Sequence, residues 1–149
     1  MRFPAASDSY TIAGMNVTAT HKDELAFDVD VKGATIGVDA DPSHGGGNNG
    51  PPPKSLLLAA LAGCTGMDVA AILGKMRMPY DSFRLEISGE ARDEHPKTFR
   101  TVHIRYIFSG SELDAEKMEK AIDLSLTKYC PVAATLKHTA EITHELVLR

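Results

Sequence analysis

Cys64 and Cys130 are the two cysteines of the sequence, and a thiol can act as nucleophile, electron donor or soft metal ligand. They lie 66 positions apart, so neither a Cys-x-x-Cys redox pair nor a four-cysteine zinc site is formed. Six histidines keep a mixed Cys/His site open, but none shows HxxxH spacing. His144 shares a strand face with Ile142 and Leu146, the pattern of a packed or interface histidine. The run GGGNNG has no following Lys-Ser/Thr and does not make a phosphate-binding loop.

The two thiols sit in unlike surroundings. Cys64 lies near the middle of an apolar run, SLLLAALAGCTGMDVAAILGKMRM, over positions 55–78. One reading is a small hydrophobe filling a core, since free cysteine is among the most buried residue types. Gly63 and Gly66 flank it, however, and each helix-interior glycine costs about 1 kcal/mol against alanine. Close helix packing or access for a small substrate would explain them. Asp68 follows one turn later on the same face. A carboxylate there needs a partner, and as an anion it opposes thiolate formation, so a reactive Cys64 requires a cation nearby. Cys130 precedes Pro131, a residue suited to the first helical position. That puts its sulfur at a helix N-terminus, where free amides and the macrodipole favour a thiolate. Local physics makes Cys130 the more acidic thiol. A plain junction between two helices accounts for the Cys-Pro pair equally well, and both readings stay open.

The elements that must position these groups follow from periodicity. Positions 10–38 alternate apolar and polar residues, most clearly at Leu25, Phe27, Val29 and Val31, with breaks at 21–24 and at Lys32-Gly33. This predicts an antiparallel meander. Positions 39–53, DADPSHGGGNNGPPP, lack periodicity and predict a mobile loop or linker ending on prolines that suit a helix start. The 55–78 helix is apolar on nearly all sides and must be surrounded by protein. Its core stretch, 56–73, approaches a membrane span in length but is interrupted by Gly63, Cys64, Thr65, Gly66 and Asp68 and lacks flanking anchors. A buried helix is expected there, and no membrane.

After Pro79, two strands alternate at Phe83, Leu85, Ile87 and at Val102, Ile104, Tyr106, Phe108, around a charged turn at 93–97. Ser111 and Asp114 open a second helix with a core face of Ala115, Met118, Ile122, Leu126 and Tyr129. Cys130-Pro131 breaks it, a short third helix follows over 132–137, and 141–148 reads as a closing strand. The class is α+β in one domain over 1–149. With 43% apolar and 24% charged residues the chain is long enough to fold without a disulfide or metal, so any pairing of the cysteines needs a reason other than stability. Scattered basic residues and a net charge of −4 disfavour nucleic acid. The start does not read as a signal peptide, so a cytoplasmic, reducing setting is expected, where a dithiol is catalytic, sensing or metal-binding more often than structural.

The runs PPPKSLLLAALAGCTGMDVAAIL and KYCPVAATL resemble the two motif regions of the OsmC/Ohr family of osmotically inducible and organic hydroperoxide resistance proteins. The resemblance spans essentially the whole chain, and GCTGMDVAAIL with AIDLSLTKYCPVA and EITHEL is most similar to the YhfA-like branch. It implies an OsmC-like fold, an intertwined homodimer whose antiparallel sheets enclose long central helices. It implies a peroxidase role in the oxidative stress response, with Cys64 the peroxidatic thiolate and Cys130 the resolving partner. The substrate would be an organic peroxide or hydrogen peroxide and the reductant an unidentified dithiol, with no metal or organic cofactor. The family's hydroperoxide reductases support the thiolate with an arginine held by a glutamate about ten residues before the first cysteine. Here that position falls at Lys54 or Ser55, and no arginine occurs between Arg2 and Arg77. Lys22, Lys54 and Asp68 are the candidate thiolate-supporting groups, although a lysine lacks arginine's bidentate fork. The missing pair keeps two other readings in play: a noncatalytic OsmC-like dimer binding a small apolar ligand or partner protein, and a thiol-dependent metal or sulfur-carrier role.

Overall fold

The computed structural model describes residues 14–149. The chain forms two compact units, one ending at Pro53 and the other comprising Lys54–Arg149.

The first unit is the predicted meander: β1 (Val17–Asp23), β2 (Ala26–Val31) and β3 (Ala34–Val38), antiparallel in that order. The part of the expected meander before residue 14 lies outside the described residues. Lys32 and Gly33 turn the chain between β2 and β3 with φ of 52° and 83°, the pair of positive φ values that a two-residue hairpin needs to match strand twist. Alternation puts Val17, Val31, Val29, Ile36, Phe27 and Val38 on one face through cross-strand partners.

The segment expected to be a mobile loop is organised around one carboxylate. Asp39 is buried, and it accepts the amides of Ala40 (2.7 Å), Gly47 (2.9 Å) and Asn49 (3.1 Å) and the Asn49 side-chain amide (3.0 Å). A Cβ on Gly46 would collide with the Ala40 carbonyl, and one on Gly50 with that of Gly37. The glycines therefore serve close backbone approach, and a Gly-rich composition cannot by itself distinguish that from flexibility.

The second unit packs helices on a sheet of order β4-β5-β6, made of β4 (Ser82–Ala91), β5 (Phe99–Ser109) and β6 (Glu141–Leu148). β4 and β5 are antiparallel, with Ile87 opposite Ile104, whereas β6 runs parallel to β5 with Tyr106 opposite Leu146. The expectation of antiparallel sheets therefore holds for the meander and the β4/β5 pair but not for the last strand. A parallel neighbour requires a crossover, and the helical segment between β5 and β6 supplies it. Val102, Ile104, Tyr106 and Phe108 alternate onto the buried face. There they meet α1 (Pro53–Lys75) and α2 (Ala115–Leu124) through Leu61, Val69, Leu73, Met118 and Ile122.

Three helix expectations change. α1 ends at Lys75 rather than 78, because Arg77 adopts a left-handed φ of 53° and Met78 turns back to the Leu73 carbonyl. α1 is also covered on one stripe alone, since Leu61, Thr65, Val69 and Leu73, spaced by four, are its buried residues. Leu57 and Met67 are exposed, at 45% and 71%, so the rest of this unit does not enclose the helix. α2, capped by Asp114 accepting the Lys117 amide, gives way at Ser125 to a π-helical turn over Ser125–Tyr129. That wider turn keeps Leu126 in the core but rotates Tyr129 outward to 49% exposure.

Candidate functional site

α1 and the junction of the π turn with α3 (Pro131–Leu136) bring the two cysteines together. Cys64 and Asp68 lie one turn apart on α1, Cys130 is the N-cap of α3, and both sulfurs and an Asp68 oxygen lie within 4.8 Å of one another. The cysteines are reduced; Cys64 is half-buried and Cys130 is buried, at 3% exposure. Gly66 lets α1 approach the sheet, since a Cβ there would stand 3.0 Å from the Leu85 methyl, while the space beside Gly63 is open. One of the two glycines thus answers to packing, and the other leaves room near the Cys64 sulfur's helix.

The helix N-terminus does not make Cys130 acidic, contrary to the sequence expectation. The Ala133 amide does donate to Cys130 Sγ at 3.3 Å, as an N-capping sulfur requires. Burial nevertheless dominates and, together with the neighbouring Cys64, pushes the Cys130 thiol up to about 11. Removing a sulfur anion from water outweighs the Ala133 and Val132 amides at the start of a six-residue helix. Cys130 is therefore neutral at physiological pH.

Asp68 finds its partner in a hydroxyl, not a cation. The Ser125 Oγ donates to Asp68 Oδ2 at 3.0 Å, and it lies 2.9 Å from Thr65 Oγ1, which lies 2.6 Å from the Tyr106 hydroxyl. Thr65, Ser125 and Tyr106 are fully buried, so this chain of hydroxyls crosses the core from the sheet to the carboxylate. Burial pushes the Tyr106 phenol up to about 12, while the Thr65 hydrogen bond acts in the opposite direction. The edge of the His144 ring packs on Tyr106 at a centroid distance of 6.1 Å, and its Nε2 meets Glu119 at 3.0 Å, the packed role expected of it.

Thr65, Ser125 and Tyr106 escaped the sequence reading. A signal existed for Thr65, a hydroxyl on the one stripe of α1 that faces the core. None existed for Ser125, whose inward orientation depends on the π turn.

The two lysine candidates are occupied elsewhere. Lys22 lies within β1, not in the turn after it, and pairs with Asp28 at 2.9 Å. Lys54 donates to the Lys97 carbonyl at 3.0 Å and stands over the Phe99 ring. Ten residues of helix separate it from Cys64, about 15 Å along the axis, so it is not the cation beside that thiol. Among the described residues no salt bridge reaches Asp68.

Comparison with known proteins agrees with this architecture. The OsmC-like protein family matches residues 45–145. The protein YhfA of Escherichia coli K12 is 35% identical over 88 residues, which span 59% of this chain and 66% of YhfA. A hypothetical protein of Aquifex aeolicus superposes with a TM-score of 0.77 at 28% identity, covering 91% of this chain and 98% of its own. An organic hydroperoxide resistance protein, OsmC, of Legionella pneumophila shares the fold with a TM-score of 0.70 at 12% identity, over 95% of this chain and 99% of its own. With both cysteine motifs inside the matched region and the α+β architecture common to these structures, the chain belongs to the OsmC-like family and resembles its YhfA-like branch.

Proposed function

We propose that this chain is a thiol peroxidase in which Cys64 is the peroxidatic residue and Cys130 the resolving one. The observation that carries the reading is the approach of a half-buried and a buried thiol to within 4.8 Å across 66 residues of sequence. The Cys64 thiolate attacks one peroxide oxygen, the O–O bond breaks, and the departing oxygen takes a proton to leave as an alcohol or as water. Cys64 is then a sulfenic acid. The Cys130 sulfur attacks the Cys64 sulfur, hydroxide is expelled and protonated to water, and a disulfide results. An external dithiol reduces it by exchange. Disulfide formation would bring the sulfurs from within 4.8 Å to about 2.05 Å. The name of the Legionella relative, an organic hydroperoxide resistance protein, supports this class of substrate.

The direct test is to add one equivalent of an organic hydroperoxide to the fully reduced chain and map its cysteines by mass spectrometry. A Cys64–Cys130 disulfide is expected. Two thiols left intact would reject the reading in favour of a noncatalytic dimer that binds an apolar ligand or a protein.

We further infer a cytoplasmic homodimer. α1 is apolar around its circumference but covered within its own unit along one stripe, and Leu57 and Met67 are exposed among the described residues. The helix is also long and apolar enough to cross a membrane by length and composition, yet Asp68 and its hydroxyl partners lie midway along it. A second copy covering the exposed faces satisfies both facts. Sedimentation equilibrium at micromolar concentration, without detergent, is expected to give twice the 16.0 kDa chain mass; a monomer would count against the dimer.

A further inference from the structure

Cys64, Cys130 and Asp68 are three potential metal ligands of soft and hard type, converging from α1 and the N-cap of α3 to within 4.8 Å of one another. We propose that the reduced chain binds one thiophilic divalent cation of the zinc type through Cys64 Sγ, Cys130 Sγ and an Asp68 carboxylate oxygen, with a fourth position left to water.

Geometry supports the set. In a tetrahedral zinc site with Zn–S near 2.3 Å and Zn–O near 2.0 Å, two sulfurs stand about 3.8 Å apart and a sulfur and an oxygen about 3.5 Å apart. The observed ceiling of 4.8 Å exceeds these separations by about 1.0 and 1.3 Å. Ser125 donates to Asp68 Oδ2 and orients the carboxylate, as hydrogen-bond partners of metal ligands commonly do. The cluster can reach three negative charges, yet no salt bridge reaches its carboxylate among the described residues. A bound cation would offset that charge at a carboxylate that is half-buried. Two thiols and one carboxylate favour zinc, cobalt(II) or cadmium over magnesium or calcium, which prefer all-oxygen sites. On binding, two S–H protons pass to solvent as two sulfur–metal bonds form, with no change of oxidation state.

Metal and peroxide would then compete for the same two sulfurs. A loaded site has no free thiolate, and a disulfide has no site. The metal proposal does not require the peroxidase reading, because it uses the reduced dithiol alone, and the two can fail separately.

The test is a titration of the reduced chain with cobalt(II) under anaerobic conditions. One equivalent per chain is expected to bring up sulfur-to-cobalt charge-transfer absorption and tetrahedral ligand-field bands, and one equivalent of zinc to abolish them. Asp68→Asn keeps an oxygen able to accept from Ser125, and is expected to weaken cobalt about tenfold or more while leaving the circular dichroism unchanged. On the wild-type chain, where folding is not at issue, saturating zinc is expected to slow the reaction of both cysteines with a disulfide reagent. A reduced wild type that shows no stoichiometric charge-transfer band overturns the site. So does cobalt affinity unchanged in Asp68→Asn, or unchanged thiol reactivity with zinc present.

Discussion

Substituting Cys64 by serine is expected to lower peroxide consumption by about a thousandfold or more, because removing the nucleophile removes the covalent route entirely. The hydroxyl that replaces it is too weak a nucleophile at neutral pH to accept oxygen from a peroxide. Cys130→Ser is expected to behave differently. Its first equivalent of peroxide is still consumed and a sulfenic acid persists, since the partner within 4.8 Å is gone. Repeated turnover with a dithiol reductant then slows, and further peroxide drives the sulfur on to its sulfinic form. Stopped-flow peroxide loss, with dimedone trapping of the sulfenic acid, separates the two variants. Peroxide consumption that survives Cys64→Ser would remove the peroxidase reading. Equal loss in both variants would instead require Cys130 in the first step.

That first step is a poor role for Cys130. Its thiol is held neutral by burial and by the neighbouring Cys64, and 3% exposure leaves little of it open to a peroxide. As the resolving residue it would have to give up its proton as it attacks a sulfenic acid formed beside it. Burial therefore argues against Cys130 as the attacking thiol of the first step, although the helix N-terminus at Cys130 argued in the other direction.

Thr65→Val is expected to destabilise the fold by about 1–3 kcal/mol, the range for leaving a buried polar group without its partner. Valine nearly matches threonine in shape, so little packing changes. The Tyr106 hydroxyl, fully buried, loses the oxygen at 2.6 Å, and Ser125 loses the one at 2.9 Å while keeping Asp68. At this chain length the loss corresponds to a fall in Tm of about 2–12 °C. Thr65→Ser, which keeps the hydroxyl, is expected to lose less than the valine variant, the remaining deficit being one buried methyl. Calorimetry at a single protein concentration keeps any association the same across the variants. Wild-type stability in Thr65→Val would mean that the hydroxyl chain contributes nothing net. A double-mutant cycle with Tyr106→Phe isolates the Thr65–Tyr106 contact. Its coupling energy should make up the larger part of the single-variant loss.

Much of the architecture could be read along the chain. Period-two alternation located β2, β4 and β5, a closing strand was expected over 141–148 where β6 lies, and the Asp114 cap located α2. Each of these signals is local, set by which face of an element leaves water. Asp68 was also legible as a group in need of a partner, because a carboxylate one turn from Cys64 in an apolar helix is costly unless it is hydrogen-bonded. The remainder depended on groups distant in sequence. Whether the run at 45–50 was flexible or tightly packed depended on Asp39 and on backbone approach at Gly46 and Gly50. The direction of β6 depended on the crossover that precedes it.

At the site itself, sequence alone determined the two thiols, the carboxylate beside one of them, and the N-capping position of the other, since each is a matter of residue type and local spacing. Tertiary structure decided that the sulfurs meet, that Asp68 is partnered by a hydroxyl chain from Tyr106, that Lys22 and Lys54 are occupied elsewhere, and that burial raises the Cys130 thiol. A thiol's acidity depends on the water and charge around it. Burial is a property of the packed core, to which Cys130 contributes from 66 residues beyond Cys64, and no local pattern encodes it.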